Sequence, residues 1–202
     1  MRPERKDPKE NAFLRKILAH LRSEGVRVRF YNKKTLGLAC TGSFDGANLA
    51  VAVQAAFWFE VTLHEYCHFL QKLEGSPWFS ASGSRSWVRF EGWLSGQEVH
   101  PDRLMLDARE IARCELDCEQ RVMRFVRRHR FSTIDPETYV RAANAYVYSY
   151  EAMRLLRKEA TQQSVYRVQE IMDMMPSTFI RKDRVHRLPD GYLELFAKHC
   201  VL

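Results

Sequence analysis

The sequence predicts an α+β fold with a small sheet and a mainly helical C-terminal half. Three observations carry this: a punctuated amphipathic helix near the start, three short strand-like runs between residues 26 and 53, and helical periodicity from residue 54 to the end. Asp7 can cap the first helix, Pro8 suits its first position, and Glu10 stands where a capping box places an acid. Leu14, Ile17, Leu18 and Leu21 form its apolar stripe, and Gly25 ends it. "VRVRFY" (26–31) alternates like a half-buried strand, "TLGLACTG" (35–42) reads as a second strand, "SFDGAN" as a loop, and "LAVAV" (49–53) as a third.

A helix is predicted from about Gln54 to Glu74, closed by Gly75, Ser76 and Pro77. The stretch 76–100, rich in Ser, Gly and Trp, reads as loop with a hairpin around Trp87 to Trp93. Asp102 opens a long helix to about Arg130. Another runs from Asp135 and Pro136 to about Lys158, a short one covers 165–174, and a last one 190–199. No internal repeat occurs, so the expectation is one domain over 1–202, divided into 1–75 and a loop region with helical subdomain over 76–202.

Composition narrows the classes. The chain has 202 residues, 46% of them hydrophobic, which suits a globular protein with a sizeable core. No apolar run reaches the ~18 residues of a membrane span, and "MRPERKDPKENAFL" carries no apolar core of a signal peptide. The five cysteines form no C-x-x-C pair, so reduced thiols in a cytoplasm are expected. The net charge of +7 permits a nucleic-acid partner without demanding one.

Residues 63–71 read "LHEYCHFLQ". On a helix, His64 and His68 lie one turn apart and can offer two ring nitrogens to one ion. Glu65, rotated by about 100°, can reach a metal-bound water without being a ligand. H-E-x-x-H thus describes two zinc ligands and a general base, with the metal lowering the pKa of its water toward ~7. A helix histidine can equally be a hydrogen-bonded core group. Cys67 is expected to pack, and Glu60 reads as a helix-surface acid.

A catalytic zinc needs a third protein ligand. The segment "REIARCELDCEQRV" (109–122) offers Glu110, Glu115, Asp117 and Glu119. The apolar stripe of that helix runs Leu104, Ala108, Ile111, Cys118, Val122 and Phe125, and Glu115 falls in its middle. Glu110 and Asp117 point about 140° and 200° away. A carboxylate on an apolar face costs several kcal/mol unless paired or metal-bound. Two other readings remain open here: a salt bridge from Glu115 to Arg113, Arg121 or an arginine elsewhere, and a structural Cys₂His₂ zinc built from His64, His68, Cys114 and Cys118.

Short strands followed by an H-E-x-x-H helix resemble the zincin metallopeptidases, over residues 26–74. Glu115-x-x-x-Glu119 is similar to the second ligand helix of gluzincins, which usually has Asp at the later position. That resemblance implies Glu115 as the third Zn²⁺ ligand, Glu119 as an acid supporting a zinc-binding histidine, and Glu65 as the base of a zinc metallopeptidase. "HEYCHFLQ", "ELDCE" and the tyrosine run "ANAYVYSY" resemble small metallopeptidase-like proteins encoded by bacteriophages, which would place the chain in a host cytoplasm. The resemblance implies fold and metal site, with a peptide or protein as substrate class but no particular substrate.

Hydrolases of this kind need a donor for the tetrahedral oxyanion. Tyr146, Tyr150 and His186 are the candidates, although Tyr146 and Tyr150 also fit simple packing with Ala142, Ala143 and Met153. Trp78, Trp87 and Trp93 fit a cleft wall or a satellite cluster. Arg121, Arg124, Arg127, Arg128 and Arg130 fit a solvated helix end or a nucleic-acid patch. The cleft itself is expected between the H-E-x-x-H helix and the third strand, where an extended peptide could pair as an added strand. Non-enzymatic alternatives are a binding or regulatory module with a structural zinc and a basic nucleic-acid-associated protein.

Overall fold

A computed structural model describes residues 6–37, 40–79, 81–160 and 164–201. It is α+β, with a three-stranded mixed sheet and predominantly helical content. The chain divides into two compact units, Met1–Gly75 with Arg121–Pro136, and Ser76–Gln120 with Glu137–Leu202.

In the first unit, helix α1 (Pro8–Ser23) is capped as its sequence requires. Asp7 is extended, and its carboxylate accepts the Lys9 backbone N–H at 2.8 Å. Asp7 also accepts from the Ser132 hydroxyl at 2.7 Å, and the buried Glu10 accepts from the Thr133 hydroxyl. Asp7 therefore both caps the helix and anchors Ser132, while the Glu10 carboxylate, expected in a capping box, reaches Thr133. Phe13, Leu14, Ile17, Leu18 and Leu21 are buried, and Phe13 meets the rings of Phe125 and Phe131 at 5.2 and 5.4 Å. Gly25 leaves the helix at φ 75°, a conformation that favours glycine.

The sheet comprises β1 (Arg27–Tyr31), β2 (Gly42–Phe44) and β3 (Asn48–Ala52), in the order β1-β3-β2. β3 runs parallel to β1, with Arg27 opposite Asn48, and antiparallel to β2, with Gly42 opposite Val51. Two expectations change here. The second strand lies at 42–44 instead of 35–42, whose residues 38 and 39 fall outside the described ones. Asp45 is the physical reason, since its Oδ1 accepts the backbone N–H groups of Ala47 and Asn48 at 2.9 and 2.7 Å. That turn reverses the chain immediately after Phe44 and sets the hairpin register. The second change concerns β3, which is the central strand. Both of its edges are already paired, so an extended peptide cannot add to it, and the sheet edges belong to β1 and β2.

Helix α2 (Trp58–Leu73) packs on β2 and β3. It starts four residues later than expected, because Ala55 and Trp58 donate to the carbonyls of Ala52 and Ala55 in a pair of turns. Its seating on β2 is close. A Cβ added at Gly42 would stand 2.3 Å from Val61 Cγ1 and 2.8 Å from Glu65 Oε1.

The second unit holds α3 (Ala81–Leu94), which follows a 3₁₀ turn at Pro77–Phe79. The hairpin expected around Trp87 to Trp93 is helix instead. Trp87, Phe90 and Leu94 recur at helical spacing, and Phe90 is buried in the core. Tertiary contacts override the Ser and Gly content that suggests a loop. Arg89 grips Asp107 with two bonds of 2.7 and 2.6 Å, and the Ser86 hydroxyl donates to Glu110 at 2.7 Å. Both acids belong to α4 (Pro101–His129), whose residues from Arg121 onward count with the first unit. α5 (Pro136–Leu156), α6 (Gln169–Met174) and α7 (Tyr192–His199) complete the chain. Phe90, Ile111, Leu116, Val147, Tyr192 and Phe196 centre the second core, and Trp78, Trp87 and Trp93 pack against it. The three tryptophans are thus satellites of a core. Among the described residues, no helix is long and apolar enough to cross a membrane.

Asp107 is fully buried, which alone would raise its pKa. Hydrogen bonds from Arg89 and Ser86, and the charges of Arg89 and Arg103, outweigh burial and hold it below 3.8. The carboxylate therefore contributes stability above the unfolded value, and that contribution disappears as pH falls through the folded one. Asp107→Asn is expected to cost about 3–5 kcal/mol in urea unfolding at neutral pH, with part of the acid sensitivity lost. Gly42→Ala is expected to cost about 1–3 kcal/mol by overpacking β2 against α2. Unchanged stability would mean that α2 does not rest on Gly42.

Candidate metal centre

α2 presents His64 and His68 as its sequence spacing requires. Their Nε2 atoms stand 3.0 Å apart, with the rings nearly perpendicular at 85°. Two nitrogens bonded at ~2.05 Å to a tetrahedral zinc stand about 3.3 Å apart. The pair is thus within a few tenths of an ångström of chelating geometry, and its donor chemistry fits a borderline-soft cation. His68 is buried and His64 half-buried.

His68 has a partner that motif reasoning does not supply. Its Nδ1 lies 2.9 Å from Gln71 Oε1, and a carbonyl oxygen can only accept. With this orientation of the Gln71 amide, a neutral His68 carries its proton on Nδ1 and turns the lone pair of Nε2 toward the other imidazole. Gln71 is 2% exposed. A long polar side chain three residues after His68 on a buried face was a readable signal, because such a group must find a partner.

Glu65 is buried, with its carboxylate lying over the bare Cα of Gly42. β2 thus contacts the candidate general base, and glycine leaves that base its room. Cys67 is buried and packs as expected. Tyr66 does more than pack, because its hydroxyl shares a 2.7 Å hydrogen bond with His20 Nδ1 of α1. Burial raises its pKa, so it remains a phenol.

On α4, the phase argument places the acids correctly. Glu115 is 6% exposed and Glu119 7%, while Glu110 is exposed and Asp117 half-exposed beside Lys182 at 3.7 Å. Leu104, Ala108, Ile111, Cys118 and Val122 are buried around them, and Phe125 is partly so. Cys114 and Cys118 are buried and form no disulfide. Two of the arginines considered for Glu115 hold other partners. Arg113 Nε donates to the Lys182 carbonyl at 3.1 Å, and Arg121 holds Glu74 with two bonds of 2.8 Å. Glu119 accepts from the Tyr139 hydroxyl of α5. Tyr139 sits twenty residues away on another helix, so nothing local announces it.

The three oxyanion-donor candidates separate. Tyr146 and Tyr150 share a 2.7 Å hydroxyl–hydroxyl hydrogen bond on α5. Burial first, then the negative charge of Glu115 and the Tyr150 neighbour, push the Tyr146 pKa well above 10. Tyr146 therefore keeps its proton beside a buried acid. His186, between α6 and α7, is pushed below 6.5 by burial and by the Arg109 charge, with Glu151 pulling the other way. The arginines at the α4 end, Arg124, Arg127, Arg128 and Arg130, are exposed.

The chain matches no protein-family model, no curated protein and no solved structure.

Gln71→Leu is expected to remove the Nδ1 acceptor and mix the two neutral tautomers of His68. Nitrogen NMR of the imidazole checks this, and an unchanged Nδ1–H tautomer would contradict the assignment. Tyr146 is expected to stay protonated where ordinary tyrosines ionise, near ~10. The difference in phenolate absorbance between wild type and Tyr146→Phe should stay flat through that range.

Proposed function

We propose that this chain is a zinc-dependent hydrolase of the zincin type, acting on a peptide bond. In this reading His64, His68 and Glu115 hold one Zn²⁺, and Glu65 is the general base. The observation that carries it is the convergence of the two Nε2 atoms at 3.0 Å, with Gln71 beside His68 Nδ1 so that a neutral ring presents the Nε2 lone pair on the side of the pair. Glu115 supports it as a carboxylate buried in the apolar stripe of α4, where isolation would cost several kcal/mol.

A Zn²⁺ in this site would supply Lewis acidity and lower the pKa of a water toward ~7. Glu65 would take a proton from the attacking water and return it to the departing amine. Gln71 holds the His68 ring in orientation. Tyr146, protonated and close to Glu115, is the better oxyanion donor on charge grounds. Glu119, which accepts from Tyr139, would support a zinc-binding histidine in this reading. Since β3 has no free edge and Gly42 lies against Glu65, an extended substrate would pair with β2.

A second reading is a structural zinc in a binding or regulatory module. What favours it is donor chemistry, because a buried Cys118 thiolate with the two imidazoles makes a set able to hold a metal ion.

Elemental analysis is expected to find one zinc per chain, with lower thermal stability in chelator. A zinc-free protein indifferent to chelation would sink both readings. Glu65→Gln should keep the metal and lose peptide hydrolysis by about 100-fold or more, and full activity would exclude this mechanism. Glu115→Ala against Cys118→Ser assigns the third ligand, because the true ligand loses zinc and the other does not.

A further inference from the structure

The tyrosine run "ANAYVYSY" contributes more to the second unit than Tyr146 and Tyr150. Asn144 is fully buried and spends its whole amide on the irregular segment after α6. Its Nδ2 donates to the carbonyls of Pro176 and Thr178 at 3.0 and 2.9 Å, and its Oδ1 accepts the Ile180 N–H at 3.1 Å. Arg141 adds a bond from Nη1 to the Met175 carbonyl at 2.5 Å. Residues 175–180 have no regular secondary structure, yet four side-chain bonds from α5 hold their backbone in place. Such a wall is preorganised, which is what a binding surface needs.

One turn after Asn144, Tyr148 opens onto a groove of about 260 Å³ against this wall. Pro176, Phe179 and Ile180 supply apolar lining, and Arg181 and Arg184 supply charge. Arg181 is committed to Asp183, at 3.0 and 3.2 Å. The Arg184 side chain makes no hydrogen bond or ion pair among the described residues, and its charge acts on Asp183 as well as on Tyr148, so two arginines against one aspartate leave the rim one surplus positive charge beside a phenol. The volume is below the ~300–1,000 Å³ of drug-sized sites, so only a small molecule fits.

We propose that this groove binds a small monocarboxylic acid, with the carboxylate on the Arg184 guanidinium and Tyr148 hydroxyl and a compact apolar body against Phe179 and Ile180. One negative charge balances the surplus. A guanidinium paired with a phenolic O–H matches the two oxygens of a carboxylate. The phenol remains a donor at neutral pH, because burial raises the Tyr148 pKa more than the Arg184 charge lowers it. The site lies wholly in the second unit and does not depend on the metal reading.

The test titrates the full chain with 4-methylpentanoate and with its neutral amide, followed by NMR of the Tyr148 ring. Saturable binding of the acid is expected, about tenfold or more tighter than the amide, as a charge-assisted pair predicts. Arg184→Met should bring the ratio of acid to amide near one. Tyr148→Phe should weaken the acid without abolishing its preference. Arg128→Met, on the exposed end of α4, should change nothing. Chelator should leave the titration unaltered, which separates failure here from failure of the zinc reading. Equal binding of acid and amide, binding of neither, or an undiminished preference in Arg184→Met would overturn the proposal.

Discussion

A long amphipathic helix must bury its apolar stripe, and on α4 that stripe contains two carboxylates. Ile111, Cys118 and Val122 are fully buried in register with Glu115 and Glu119. Replacing either acid with leucine would make an ordinary helix face. Holding ionised groups there costs several kcal/mol, so the neighbourhood must compensate for each of them. Tyr139 donates to Glu119, and burial first, then the nearby charge of Glu115, raises the Tyr146 pKa. Phenols on α5 suit the acids of α4, as they are donors that such a face can carry without adding charge.

The same logic of compensation runs through α2. A buried histidine needs its ring nitrogens satisfied, and Gln71 satisfies one of those of His68 while fixing where the proton sits. A neutral amide does this without the charge a carboxylate would bring into a buried position. Elsewhere in the second unit a buried acid is stabilised differently. Asp107 takes three bonds from Arg89 and Arg103, a structural use of charge with no donor left over for chemistry.

Much of the candidate site was legible because it depends on helical phase. Four-residue spacing places His64 over His68, and the position of Glu115 among Ile111, Cys118 and Val122 predicts burial without any tertiary information. The strand errors have a different origin. "TLGLACTG" looks more like a strand than "GSF" does, but the Asp45 turn determines where the hairpin ends, and side-chain capping of backbone amides outweighs weak β-propensity. The Trp87–Trp93 segment misleads for a related reason. Its Ser and Gly content argues for a loop, whereas the Arg89–Asp107 pair and the burial of Phe90 stabilise a helix.

By itself, the sequence determined the α+β class, the N-cap of α1, the one-turn spacing of His64 and His68 on α2 and the burial of Glu115 in the stripe of α4. All of these are set by residues within a turn or two of each other. Only the tertiary structure decided that β3 is central, that Gly42 lies against Glu65, that Tyr139 reaches Glu119 and that Asn144 pins the 176–180 wall. These join residues from separate elements. Strand order and side-chain partners at such range depend on how whole elements pack, and local periodicity does not encode that.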